Sequence, residues 1–224
     1  QVYNHDQPDG PVKVISSTDN SNTADDIKPL VLPIDDEFVN VQIHPGGQYL
    51  LLTSQNGTVS ILKSTTTETL AQFTVIDASS SSSKVSCAQL HPDGLIHAMG
   101  TTDGKVLLWD VKSQTLASTL EMPQKDAAVT SIAFSENGYH LLTCTDGNQC
   151  MVWDLRKQKL LQSMDNVTSA SFDPSGKYMA LVQEKDIIIA SVKDWNNPHK
   201  LEISSDNNSN NNCCSSMVWT KDIN

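Results

Sequence analysis

Arginine is almost missing from this sequence: Arg156 stands alone beside 14 lysines and against 26 acidic residues in 224. The resulting net charge of −11 repels phosphate backbones instead of releasing their counterions, so no direct nucleic-acid binding is expected. No stretch reaches the roughly 18 consecutive apolar residues of a membrane span, and no basic-then-apolar leader follows Gln1. No membrane contact is expected, and the chain reads as a piece of something longer. The five cysteines, Cys87, Cys144, Cys150, Cys213 and Cys214, form no CxxC pair and have no histidine in zinc-ligand register, which fits a reducing intracellular compartment. The triplets at Asn56, Asn166 and Asn207 are read as unused glycosylation acceptors. A GxSxG elbow, an HExxH pair, a phosphate-binding glycine loop and heptads are all absent. No catalytic residue, metal or cofactor is therefore expected in this chain.

What is present is a repeat. Four turns of one shape, HPGG (44–47), HPDG (91–94), SENG (135–138) and DPSG (173–176), place their last glycines 47, 44 and 38 residues apart. Spacing of this size implies radial or solenoid repetition. Each turn links a short apolar strand (VNVQI, CAQL, SIAF, SASF) to another (YLLLTS, IHAMGT, YHLLTC, YMALV), which is the pattern of a hairpin whose glycine supplies a positive φ. A second motif, Asn-Gly or Asp-Gly before alternating apolar residues, recurs as NGTVSILK (56–63), DGKVLLWD (103–110) and DGNQCMVWD (146–154), with DGPVKVIS (9–16) upstream. It predicts a second tight turn and a third strand in each unit.

Trp109-Asp110 and Trp153-Asp154 close two of these third strands, and on them the chain resembles the WD-repeat family. That resemblance implies an all-β propeller of four-stranded antiparallel blades around a channel, seven in the intact protein and about five here. It also implies a partial hydrogen-bonded arrangement of the family's Trp, Ser/Thr, His and Asp type, with Trp109 and Asp103, and Trp153 and Asp146, as its surviving members. Leu62-Lys63 and Ile15-Ser16 replace the dipeptide in other units. The blade segments expected are 1–30 (the end of a blade), 31–77, 84–122, 127–165, 166–203 and 215–224 (the start of one). Polar inserts at 17–28, 78–84 and 204–216 are expected to be flexible, because they cannot bury enough apolar surface to order themselves.

Within the family, CAQLHPDGLIHAMGT (87–101), VTSIAFSENGYHLLT (129–143) and VWDLRK (152–157) resemble the C-terminal propellers of the pre-mRNA-processing factor 19 family. That likeness implies a nuclear scaffold and ubiquitin ligase of the spliceosome-associated nineteen complex, acting in pre-mRNA splicing and the DNA damage response. A U-box recruiting the ubiquitin-conjugating enzyme, and a coiled coil forming a homo-tetramer, would lie outside these residues. A generic WD-repeat adaptor of another intracellular complex is the alternative, and an enzyme propeller with a channel site is a third reading.

Partner contacts are expected on a rim, where turns gather on a rigid frame. The candidates are the acidic group Asp35, Asp36 and Glu37, and Arg156, whose planar fork suits bidentate pairing with a partner or a carboxylate of its own blade. His44 and His91 recur before proline and are read as turn residues, not as metal ligands.

Overall fold

The computed structural model describes residues 37–76, 83–124, 127–183, 186–193, 198–202 and 219. The expected inserts at 17–28 and 204–216, most of that at 78–84, the DGPVKVIS motif, Asp35 and Asp36, and nearly all of the terminal blade start lie outside them.

Among the described residues, four four-stranded antiparallel sheets follow one another along the chain, each with its strands in sequence order. The first contains β1 (Phe38–Ile43), β2 (Tyr49–Ser54), β3 (Thr58–Lys63) and β4 (Thr69–Thr74). The second contains β5 (Val85–Leu90), β6 (Ile96–Thr101), β7 (Lys105–Asp110) and β8 (Thr115–Glu121). The third is built of β9 (Val129–Phe134), β10 (His140–Thr145), β11 (Gln149–Asp154) and β12 (Lys159–Asp165), and the fourth of β13 (Ser169–Phe172), β14 (Tyr178–Gln183), β15 (Asp186–Ser191) and β16 (His199–Glu202). This is the all-β blade architecture expected of a WD-type propeller. The four repeated turns join the first strand of each blade to the second, and the Asn-Gly and Asp-Gly turns join the second to the third. Where Trp109, Trp153 or its replacement Leu62 enters, the register between third and fourth strands slips. A bulge therefore recurs at the position of the signature dipeptide.

Period-2 alternation gives the central strands two apolar faces, and consecutive blades pack face against face. From β10 and β11, Leu141, Met151 and Trp153 meet Ala98, Val106 and Leu108 of the second blade. The opposite side of the same strands, Leu142, Cys144, Cys150 and Val152, meets Phe172, Met179 and Leu181 of the fourth. Between the first and second blades, Val59 and Phe73 pack against Met99 and Trp109, with the Phe73 and Trp109 rings stacked 5.1 Å apart. The core thus lies between sheets, and the innermost strands β1, β5, β9 and β13 touch in series.

Polar straps reinforce the first two interfaces. Gln42 Oε1 accepts from the Leu90 amide at 2.5 Å, and Gln89 Oε1, one repeat later, accepts from the Phe134 amide at 2.9 Å. Ala133 holds the equivalent place before the fourth blade, where Gln183 Nε2 instead donates across the interface to the Asp165 carbonyl at 3.0 Å. Thr53 and His97, fully buried on facing second strands, hydrogen-bond through Oγ1 and Nε2 at 2.8 Å. His97 Nδ1 finds no partner among the described residues.

Burial lowers the His97 pKa from its ordinary value to about 4, because it removes the water that would solvate an imidazolium. An unfolded histidine titrates near 6.5, so below that pH the unfolded chain binds the extra proton. Stability is complete above about pH 6.5, falls by about 3 kcal/mol as pH drops toward 4, and levels off below it. Urea denaturation at stepped pH is expected to show this slope in the wild type and its loss in His97→Gln. A slope equally steep in the variant would contradict the assignment.

Candidate protein-binding rims

Because every blade runs the same way, its turns sort to two ends. The first-to-second and third-to-fourth turns share one end, as the pairings of Ile96 with Asp110 and of His140 with Asp154 require. The second-to-third turns and the links between blades share the other. Asp110, Asp154 and Arg156 thus lie at the first rim, and Glu37, Asp103 and Asp146 at the second. The fold brings the candidates together in two groups, separated by the length of a strand.

At the first rim the signature aspartates hold turns. Asp110 Oδ1 accepts from the amides of Lys112 and Ser113 at 2.8 and 2.9 Å, and these bonds hold its carboxyl below the ordinary carboxylate range. Asp154 Oδ1 does the same for Arg156 and Lys157 at 3.0 and 3.1 Å. Desolvation pushes the Asp154 carboxyl up, but these amides and the adjacent cations outweigh it, and its pKa is lowered. Arg156 Nε lies 3.8 Å from Asp154, while its guanidinium sits 4.2 Å above the Tyr139 ring, a cation–π arrangement. Tyr139 and Arg156 come from the two turns of one blade, so a contact between 17 positions of chain becomes local.

His44 and His91 reach further than their own turns. Gly94 and Gly138 have φ of +78° and +71°, and a Cβ on either would collide with the imidazole of His44 or His91. His91 Nε2 lies 3.0 Å from the Gly138 carbonyl oxygen, and its ring meets Phe134 edge-on at 5.0 Å. Each histidine therefore latches its blade onto the next blade's turn. Ser135 takes this place before the fourth blade, where Gly176 has only ordinary contacts. The sequence signal was the recurrence of His-Pro itself, but nothing in it says that the ring leaves its own repeat.

At the second rim, Asp103 accepts from Ser83 Oγ at 2.6 Å and pairs with Lys105 Nζ at 2.7 Å. Desolvation raises its pKa, but hydrogen bonds from Lys105, Ser83 and Thr101 more than offset this and hold it well below the ordinary range. Asp146 and Glu37 are exposed. Among the described residues no three His, Cys, Asp or Glu side chains converge as metal ligands would. Burial between blades pushes the Cys87 thiol up to about 12, which suits a packing side chain and not a nucleophile.

The two tryptophans, expected to work with Asp103 and Asp146, are anchored differently. Trp153 Nε1 donates to Thr143 Oγ1 at 3.0 Å in a buried bond, whereas Trp109 Nε1 is buried without a partner among the described residues. Leu141 pairs with Trp153 and His97 with Trp109, so Met99 occupies in the second blade the place that Thr143 holds in the third. A thioether replaces the hydroxyl acceptor. Thr143→Val keeps the shape and orphans the Trp153 indole, and it is expected to cost about 1–3 kcal/mol in urea denaturation. An unchanged midpoint would show that the bond contributes nothing.

A family model for the nucleolar protein 10-like, N-terminal domain, a β-propeller, matches residues 26–190. Pre-mRNA-processing factor 19 homolog 2 of Arabidopsis thaliana is 37% identical over 162 residues, 70% of this chain and 30% of that protein. Pre-mRNA-processing factor 19 of Oryza sativa subsp. japonica is 34% identical over 170 residues, 71% of this chain and 31% of its own. Pre-mRNA-processing factor 19 of Bos taurus is 39% identical over 160 residues, 69% of this chain and 31% of that protein. The chain therefore spans about a third of the length of these relatives. Repeat, blade topology and family match agree: the chain belongs to the WD-type β-propeller family that includes the nucleolar protein 10-like N-terminal domains, and it is similar to pre-mRNA-processing factor 19.

Proposed function

We propose that this chain is the protein-binding propeller of a nuclear pre-mRNA-splicing scaffold of the pre-mRNA-processing factor 19 type. The observation that carries this reading is the 34–39% identity over about 70% of the chain to proteins of that name from plants and a mammal. The geometry is compatible with binding: a frame cross-strapped between blades presents two rims of turns, where Asp110 and Asp154 cap their turns while Arg156 and Lys157 stay exposed. In the intact protein the ring has seven blades, of which about five are represented here. Its partners are proteins of the nineteen complex, with no direct contact to nucleic acid. Ubiquitin transfer, its conjugating-enzyme contact through a U-box, and tetramer formation through a coiled coil belong to segments outside this chain. The propeller recruits partners and substrates for splicing and the DNA damage response.

The match to nucleolar protein 10-like domains supports a second reading, an adaptor propeller of another nuclear assembly. Affinity purification of the tagged full-length protein with mass spectrometry, together with imaging, separates the two. Recovery of splicing factors and a nucleoplasmic signal are expected. Nucleolar concentration without splicing factors would overturn the first reading in favour of the second.

A further inference from the structure

Exposed apolar side chains are distributed unevenly between the two ends. Among the described residues nine large ones are exposed, and Ile43, Tyr49, Leu95, Tyr139 and Tyr178 all lie at the first-to-second-strand turns. The other four are leucines of the outer strands, and none lies among the described residues of the second-to-third-strand turns. The five come from all four blades at equivalent or adjoining turn positions, so they line one rim as a discontinuous apolar arc. An isolated exposed leucine needs no explanation, but recurrence on one end of a propeller does.

Charge sorts the same way. The third-to-fourth-strand turn of the third blade carries Arg156, Lys157 and Lys159 beside Tyr139. Its single carboxylate, Asp154, is 5% exposed and committed to the turn amides, while Arg156 and Lys157 are 59% and 71% exposed. Lys177, next to Tyr178 on the following blade, adds another cation. The carboxylate of the neighbouring Asp93 is tied to His91 at 2.7 Å, and Glu136 is the exposed acid of the Tyr139 turn. The opposite rim is acidic: Glu37, Glu121, Asp146 and Asp165 are exposed there, Lys105 is paired with Asp103, and Lys84 bonds Gln55.

We infer that the rim centred on Tyr139 and Arg156 is the docking surface for an acidic peptide segment carrying a large aliphatic or aromatic side chain. Tyrosine and arginine are the residue types that dominate binding hot spots. Here the Tyr139 ring already holds the guanidinium in place, so little side-chain freedom is lost when a carboxylate arrives. The apolar anchor would seat among the rim tyrosines and Leu95, while carboxylates meet Arg156, Lys157 and Lys177. This deepens the protein-binding reading proposed above by naming the surface and the partner chemistry.

Random 16-residue peptides displayed against the immobilised 224-residue chain test this without presupposing a sequence. Enrichment of Asp and Glu together with Leu, Phe or Trp is expected. The selected peptides, labelled and titrated by fluorescence anisotropy, should bind Tyr139→Ala and Arg156→Ala about tenfold more weakly than wild type. They should bind Lys84→Ala, at the opposite rim, with unchanged affinity, and they should bind more weakly as salt rises. Both rim residues are exposed, and thermal unfolding of the variants checks that the fold is kept. Enrichment of basic peptides, no enrichment, or equal binding to the rim variants would overturn the inference. If splicing factors co-purify while no acidic peptide is selected, the rim assignment alone fails. Arg156-dependent peptide binding without splicing factors instead sinks the splicing reading and leaves the rim.

Discussion

A sheet with two apolar faces cannot be stable alone, and the contact between one blade and the next is what the rest of this structure depends on. Each central strand alternates so that one set of side chains faces backward and the other forward, as Leu141 and Leu142 do within β10. Burial of such side chains is worth about 1.5–3 kcal/mol each, so three interblade clusters outweigh any single turn or cap. Polar contacts then fix how the blades seat. The first two interfaces carry a glutamine-to-amide strap and a histidine resting on the next blade's glycine. The third has neither and packs Val167, Phe172 and Met179 against Cys144 and Val152.

The same seating presents the rims. Because His44 and His91 lock successive turns to one another, the side chains between those turns are held on a common surface and do not move blade by blade. Tyr139 and Arg156 inherit this rigidity, and their contact joins the two hairpins of one blade. The opposite rim is built from turns closed by Asn56, Thr101 and Thr145, and its exposed acids Glu37, Glu121, Asp146 and Asp165 leave it polar and acidic. One frame therefore carries two chemically different faces.

Much of the fold was legible because turn chemistry is local. Gly47, Gly94, Gly138 and Gly176 all adopt the positive φ that their position in a hairpin demands, and the Asp-Gly turns and Trp-Asp ends mark the strands between them. What passes between repeats was not legible. The spacing of 47, 44 and 38 residues does not reveal that His44 meets Gly94, that Gln89 reaches the Phe134 amide, or that Met99 deprives Trp109 of the acceptor Thr143 offers Trp153. These depend on which faces meet, a matter of register and blade rotation. Arg156 was singled out for its rarity, but its tyrosine partner lies 17 positions away, and only the pairing of two turns at one end makes them neighbours.

Native-state hydrogen exchange on the Leu90 and Phe134 amides, the two donors to the interblade glutamine straps, reports whether the contacts between blades hold the structure together. If the blades stand or fall together through their interfaces, both amides open with the same free energy as the Leu142 amide at the centre of β10, and all three shift in parallel as denaturant rises. If Leu90 and Phe134 exchange through small local openings while the strand centres stay protected, each blade is stable by itself and the account is wrong.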